Sequence, residues 1–190
     1  MKIEKTDILL AYPPEDFSQG GFHKDFHHGV GGPPLGLLYL ASYLRAKGIS
    51  ARIYDARVDF DFSKILNHQS DASFRLGATD ELITERIKTF KPKIIGVSCP
   101  FIVRLQQCFD FCNLVKKIDP NILVVMGGSS CSALKTEIFE RCQDIDVIVL
   151  VEGEEVFHEL VQRYLQGENF DNIPSIAYRR VWFCSFRGDA

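Results

Sequence analysis

Residues 7–12, Asp7-Ile8-Leu9-Leu10-Ala11-Tyr12, form an almost unbroken apolar run. A strand covered by helices on both faces reads this way, because neither side has to meet water. Pro13-Pro14 ends it, and a loop of about twenty residues rich in Gly and His follows, long enough to suggest a functional segment. Pro33-Pro34 then opens a helix, Leu37, Leu38, Leu40, Ala41 and Leu44 supply its apolar stripe, and Gly48 stops it. A second strand is predicted at 51–55, and a polar stretch with one short helix leads to 80–87. That segment has an acidic first turn and helical spacing, and Lys91-Pro92 closes it. The third strand, 93–98, feeds a helix through Leu114 and Val115; the fourth, 122–126, runs into Gly127-Gly128; the fifth, 146–151, precedes a helix over 155–161.

Five strand–helix alternations predict an α/β fold. The expected architecture is a doubly wound, Rossmann-like or flavodoxin-like parallel five-stranded sheet in the order 2-1-3-4-5. This domain should fill residues 1–167, with 168–190 as a tail. Residues 173–179 read as a short extra strand or a connection, and the aromatic run 181–187, which has no nameable partner, as a truncated or altered terminus.

A length of 190 residues suits one well-cored domain. With 22 basic against 25 acidic residues, no broad field marks a nucleic-acid or anionic-membrane binder. No apolar run approaches a membrane span, and residues 1–7 lack a secretory apolar stretch. Six cysteines spread over strand ends and helices suit a reducing compartment, so the expected location is cytoplasmic and the expected partner a small molecule.

In open α/β sheets, ligands bind beyond the carboxyl ends of the strands, where strand order reverses. The residues there are Tyr12, Pro13 and Pro14 after the first strand and Ser98, Cys99, Pro100 and Phe101 after the third. Gly127, Gly128, Ser129 and Ser130 follow the fourth, and Glu152, Gly153 and Glu154 the fifth. Glycine pairs and small hydroxyl residues let backbone approach a bulky ligand. Rival ligands lack their marks: there is no G-x-G-x-x-G after the first strand and no G-x-x-x-x-G-K-[ST]. The third strand ends at Ser98, where a phospho-receiver would carry its acceptor aspartate.

Six segments in order carry a resemblance over about residues 7–179. They are Pro33-Pro34-Leu35-Gly36-Leu37-Leu38-Tyr39-Leu40-Ala41-Ser42-Tyr43-Leu44, Ile53-Tyr54-Asp55-Ala56, Ile95-Gly96-Val97-Ser98, Val125-Met126-Gly127-Gly128, Asp146-Val147-Ile148-Val149 and Glu152-Gly153-Glu154. Together they resemble the amino-terminal cobalamin-binding domain of cobalamin-dependent radical S-adenosylmethionine enzymes. The resemblance implies a corrinoid held face-on over the strand ends, with its nucleotide tail along the Ser98 and Gly127-Gly128 edge. It adds Gly36, Leu37 and Val151 to the cofactor-binding set. Two positions depart from the family pattern: Ser129-Ser130-Cys131-Ser132 stands where a Pro-His-Ala-Thr-like stretch is usual, and Val151 where a glycine is usual.

Other chemistry is weaker. Asp25-Phe26-His27-His28-Gly29-Val30 begins the D-x-H-x-x-G cobalt-ligating pattern of the methionine-synthase and mutase type but has Val30 in the glycine place. His23, His27 and His28 lack a fixed metal-ligand spacing. Cys108-x-x-x-Cys112 meets Val115 where a third cluster cysteine would stand, so the pair reads as small hydrophobes on a helix. Glu152 and Glu154 could serve as acid and base, but a helix start favours acids as well.

The expectation is therefore a corrinoid (cobalamin)-binding carrier domain of a methyltransferase-type radical S-adenosylmethionine protein. It has no catalytic residue, no protein metal site and no iron–sulfur cluster of its own, and its radical barrel lies in cis or in trans. The alternative is a ligand-free regulatory or protein-interaction module on the same fold.

Overall fold

The computed structural model describes residues 7–18, 32–59 and 73–179. The chain runs β1 (Ile8–Tyr12), β2 (Glu15–Ser18), α1 (Leu35–Ala46), β3 (Ala51–Asp55), β4 (Ser73–Leu76), α2 (Asp80–Phe90) and β5 (Ile94–Ser98). A 3₁₀ turn (Ile102–Arg104), α3 (Leu105–Ile118), β6 (Leu123–Gly127), α4 (Ser129–Leu134), α5 (Glu137–Arg141), β7 (Val147–Val149), α6 (Gly153–Gln166) and β8 (Ile176–Tyr178) follow.

The main sheet has the order β3-β1-β5-β6-β7-β8. Its first five strands are parallel and stand in the order the sequence predicts. The strand count needs correction: the sheet has six strands, because β8 pairs antiparallel with β7. Strand β8 lies in the segment 173–179 that the sequence offers as a short extra strand or a connection, whereas a separate two-stranded antiparallel ribbon, β2 with β4, has no counterpart in the sequence reading. Of the polar stretch assigned a short helix, 73–76 is strand β4 and 60–72 lies outside the described residues, as do the histidine loop and the run 181–187.

Strand β1 is buried throughout, and alternation along it splits the core in two. Ile8, Leu10 and Tyr12 join Leu37, Ala41 and Leu44 of α1 and Phe157, Leu160 and Val161 of α6 on one face. Leu9 and Ala11 join Ile83 and Ile87 of α2 and Phe109 and Cys112 of α3 on the other. This two-sided cover is why the strands read as continuous apolar runs. Helix α2 starts where the Thr79 hydroxyl accepts from the Leu82 amide at 3.3 Å, with Asp80 and Glu81 in its first turn. Among the described residues, no helix is long and apolar enough to cross a membrane.

Candidate functional site

Because five strands are parallel, their carboxyl ends share one edge. Helix α1 leaves that edge toward one face and α3 toward the other, so a crevice opens between the ends of β1 and β5. The structure brings Tyr12, Pro13 and Pro14, then Ser98, Pro100 and Phe101, then Gly127 to Ser130, and finally Val151 to Glu154, to this edge. Ser98 is in register with Gly127.

The β5 and β6 exits touch through backbone. The Cys99 amide donates to the Gly127 carbonyl at 2.8 Å and the Ser130 amide to the Cys99 carbonyl at 3.4 Å. Gly128 has φ +112°, and a Cβ there would stand 2.6 Å from the Cys99 carbonyl oxygen. Both facts demand glycine. The Ser129 hydroxyl donates to the Pro100 carbonyl and the Ser132 hydroxyl to the Leu150 carbonyl, which joins the exits of β5, β6 and β7. Ser130 is buried, and its hydroxyl reaches no oxygen or nitrogen partner and lies against the Cys99 thiol. A hydrogen bond with Cys108 holds the Cys99 thiol below its ordinary pKa despite burial. The same bond, with burial, pushes Cys108 well above.

On the β1–β3 side stands a charged group that sequence reasoning missed. Arg57, buried just beyond β3, donates to both oxygens of Asp55 at 2.9 and 2.7 Å and to the Gly32 carbonyl at 3.2 Å. Its guanidinium lies 3.9 Å from the centre of the Tyr12 ring. The Asp55 hydrogen bonds raise the Arg57 pKa, and burial raises that of Tyr12 despite the opposing charge of Arg57. Glu15 faces Arg57 at 4.0 Å and Arg104 at 2.9 Å. Two charged residues at the carboxyl end of β3, Asp55 as its last residue and Arg57 two positions further on, were the available signal.

Among the other expected residues, Leu37 is turned into the core and Gly36 is open, with no heavy atom within 4 Å of a built Cβ. Gly153 is equally open. Glu152 occupies the position before α6 without a side-chain cap bond, and Glu154 lies in the first turn. Large apolar side chains are exposed around the same edge: Leu35, Leu38 and Tyr39 at the start of α1, Val58 after β3, Phe101, Ile102 and Val103 after β5, and Val151 after β7. The remaining exposed large apolar residue among those described, Leu165, is near the other end of α6. A cleft of about 780 Å³ also lies at the opposite, amino edge, between the ends of α2, α3 and α6 and lined in part by Lys88, Ile122 and Tyr164. It shares no residue with the carboxyl edge.

Open glycine backbone and exposed apolar side chains around a crevice fit a broad ligand with an apolar face.

The chain is 30% identical over 179 residues to an uncharacterised methyltransferase of Pyrococcus horikoshii, a match covering 94% of this chain and 33% of that protein. It is 28% identical over 152 residues to the anaerobic magnesium-protoporphyrin IX monomethyl ester cyclase of Rubrivivax gelatinosus, covering 76% of this chain and 24% of that protein. A cobalamin-dependent radical S-adenosylmethionine methyltransferase of Streptomyces tokunonensis is 30% identical over 91 residues, 47% of this chain and 13% of that protein. The matches thus span a third or less of these relatives' lengths. The B12 binding domain family matches residues 28–161, and with the strand order and the open carboxyl edge this makes the chain a member of the B12-binding domain family.

Proposed function

We propose that this chain binds cobalamin at the carboxyl edge of its sheet and serves as the cofactor-carrying unit of a radical S-adenosylmethionine protein of methyltransferase type. The observation that carries this reading is the distribution of exposed apolar surface. Eight of the nine large apolar residues exposed among those described lie around the β1–β5 crevice and its neighbouring strand ends, and apolar exposure gathered at one place marks a binding surface.

Bound cobalamin supplies a cobalt centre able to carry a methyl group, and the chain's own residues bind, orient and shield it. Phe101, Ile102, Val103 and Val151 offer apolar surface to a flat ring. Ser98, Gly127, Gly128 and Ser129 line the β5–β6 exit along which a nucleotide tail would lie, and Ser130 is buried beneath it with its hydroxyl against the Cys99 thiol. Gly36 and Gly153 leave their backbone accessible, while Tyr12, Pro13 and Pro14 with Glu152 and Glu154 border the two ends. No residue is assigned a catalytic role. The domain takes in residues 1–167 together with the segment through β8, since Phe170 and Ile173 are buried in its core and β8 adds to its sheet, and the radical barrel lies in cis or in trans, as the name of the Streptomyces tokunonensis relative suggests. The five cysteines among the described residues are free and buried, which supports a reducing, cytoplasmic setting.

The test is a sizing column run under reducing conditions after mixing the protein with hydroxocobalamin. Coloured co-elution at near-equal stoichiometry is expected. A colourless protein peak would remove the reading and leave the ligand-free interaction module.

A further inference from the structure

The crevice between β1 and β5 is bridged by one ion pair. Glu15, the first residue of β2, stands three residues beyond the end of β1, and Arg104 closes the 3₁₀ turn six residues beyond the end of β5. One Glu15 oxygen lies 2.9 Å from Arg104, and both side chains are largely buried, 12% and 21% exposed. The other oxygen faces Arg57 at 4.0 Å, whose side chain is 5% exposed and already held by Asp55, the last residue of β3. Glu15 thus joins the exits of three adjacent strands, and the two acids and two arginines balance in charge.

The ribbon carrying Glu15 is seated from its other strand. Gly77, next to β4, has φ +123°, and a Cβ there would stand 2.3 Å from the Ala56 carbonyl oxygen. The Ala78 amide donates to that same carbonyl at 2.7 Å. Ribbon and strand exits are therefore in backbone contact, which makes Glu15 a fixed rather than a wandering carboxylate.

Phe101, Ile102 and Val103 hang from this joint, 60%, 55% and 81% exposed. Side chains so exposed contribute little packing to hold their own turn. The turn is closed by the Arg104 amide donating to the Phe101 carbonyl at 2.9 Å, by Leu105 in the core and by the Arg104 side chain on Glu15. We propose that Glu15 is a positioning residue whose ion pair with Arg104 holds the apolar lip of Phe101, Ile102 and Val103 at the mouth of the crevice. Glu15 acts on ligand binding through the lip and does not itself touch the ligand. This rests on the cobalamin reading for the identity of that ligand, but the latch is a property of the protein alone.

The experiment compares the full chain with Glu15→Gln, Arg104→Met, Arg104→Lys and the Glu15→Gln/Arg104→Met double variant. Amide hydrogen exchange is followed without ligand, and hydroxocobalamin affinity by visible absorbance. Removing a charge-assisted contact of this kind should speed exchange at residues 102–104 about tenfold and weaken binding about tenfold, with exchange in β6 and β7 unchanged. The double variant should be no worse than Glu15→Gln, because Arg104→Met removes a joint that Glu15→Gln has already broken. Arg104→Lys should fall between wild type and Arg104→Met, and this variant decides the matter if Glu15→Gln loosens the whole sheet. Unchanged exchange at the lip would overturn the proposal, as would a loosened lip with unchanged affinity in a wild type that binds. If the wild type itself fails to bind hydroxocobalamin, the functional reading falls, and the exchange comparison alone still decides whether the latch exists.

Discussion

The Lys116 ammonium lies 2.7 Å from Oδ2 of Asp146, the same oxygen that accepts the Val124 amide at 2.7 Å. Both side chains are nearly buried, and Lys116 also donates to the Ile122 carbonyl at 2.7 Å. One pair therefore ties the end of α3 to the starts of β6 and β7. Breaking a buried pair from one side strands the other charge. Lys116→Met should cost about 3–5 kcal/mol in urea unfolding. A loss under about 1 kcal/mol would show that water reaches Asp146.

Gly128 and Gly153 offer a matched contrast. An alanine at 128 would have to keep φ +112° with its methyl against the Cys99 carbonyl, and the backbone alone should cost about 1–3 kcal/mol. An alanine at 153 meets nothing within 4 Å, so Gly153→Ala should keep wild-type stability while weakening hydroxocobalamin binding. Thermal melts and binding titrations on both variants check this. Equal binding by Gly153→Ala and wild type would move the ligand away from the start of α6.

Alkaline pH should loosen the fold. Burial, before the nearby acids, pushes the Tyr164 phenol from 10.0 up to about 12, and burial pushes the Cys131 thiol from 9.0 up to about 12. Each is neutral when protonated, so the folded chain holds these protons more tightly than the unfolded chain. Their contribution is complete below pH ~9 and is lost as pH rises toward ~12. The urea midpoint should fall across that window, with Tyr164→Phe flattening its upper part and Cys131→Ala its lower part. A midpoint level to pH 11 in the wild type would contradict the burial of both groups.

The histidine loop should not supply a cobalt ligand, since Val30 replaces the glycine of the ligating pattern. His27→Ala is expected to leave the visible spectrum of bound cobalamin unchanged. A shifted spectrum would favour ligation of the mutase type.

What the sequence reveals here follows from how each feature is encoded. Strands β1 and β5 are legible because residues buried on two faces must be apolar in succession. Ribbon β2–β4 is not, because two four-residue strands among polar neighbours carry too few positions to show alternation. Strand β8 was readable only as one of two outcomes: its side chains are half-buried, and Ile176, Ala177 and Tyr178 acquire strand character by adding to β7. On α1 an apolar stripe was evident, but the helix has more apolar residues than one face needs. Leu37, Ala41 and Leu44 enter the core while Leu35, Leu38 and Tyr39 stay outside, so Leu37 reads differently in space from its neighbours. The strand-end glycines were found because tight backbone approach restricts residue type. The Glu15, Asp55, Arg57 and Arg104 group was not, because ion pairing across some ninety residues has no period to detect.

Strand β8 also decides where the chain departs. Running antiparallel to β7, it descends from the Val149–Ile176 pairing to the Val147–Tyr178 pairing, and Arg179 is fastened below by its amide on the Asp146 carbonyl at 3.0 Å and its side chain on the Cys142 carbonyl at 3.2 Å. The exit is thus at the foot of the sheet and the crevice at its head. A covalently attached partner entering from this end would need a tether that climbs the height of a five-residue strand, roughly 17 Å. Shortening such a tether below about five extended residues would pull the partner off the ligand without altering either surface.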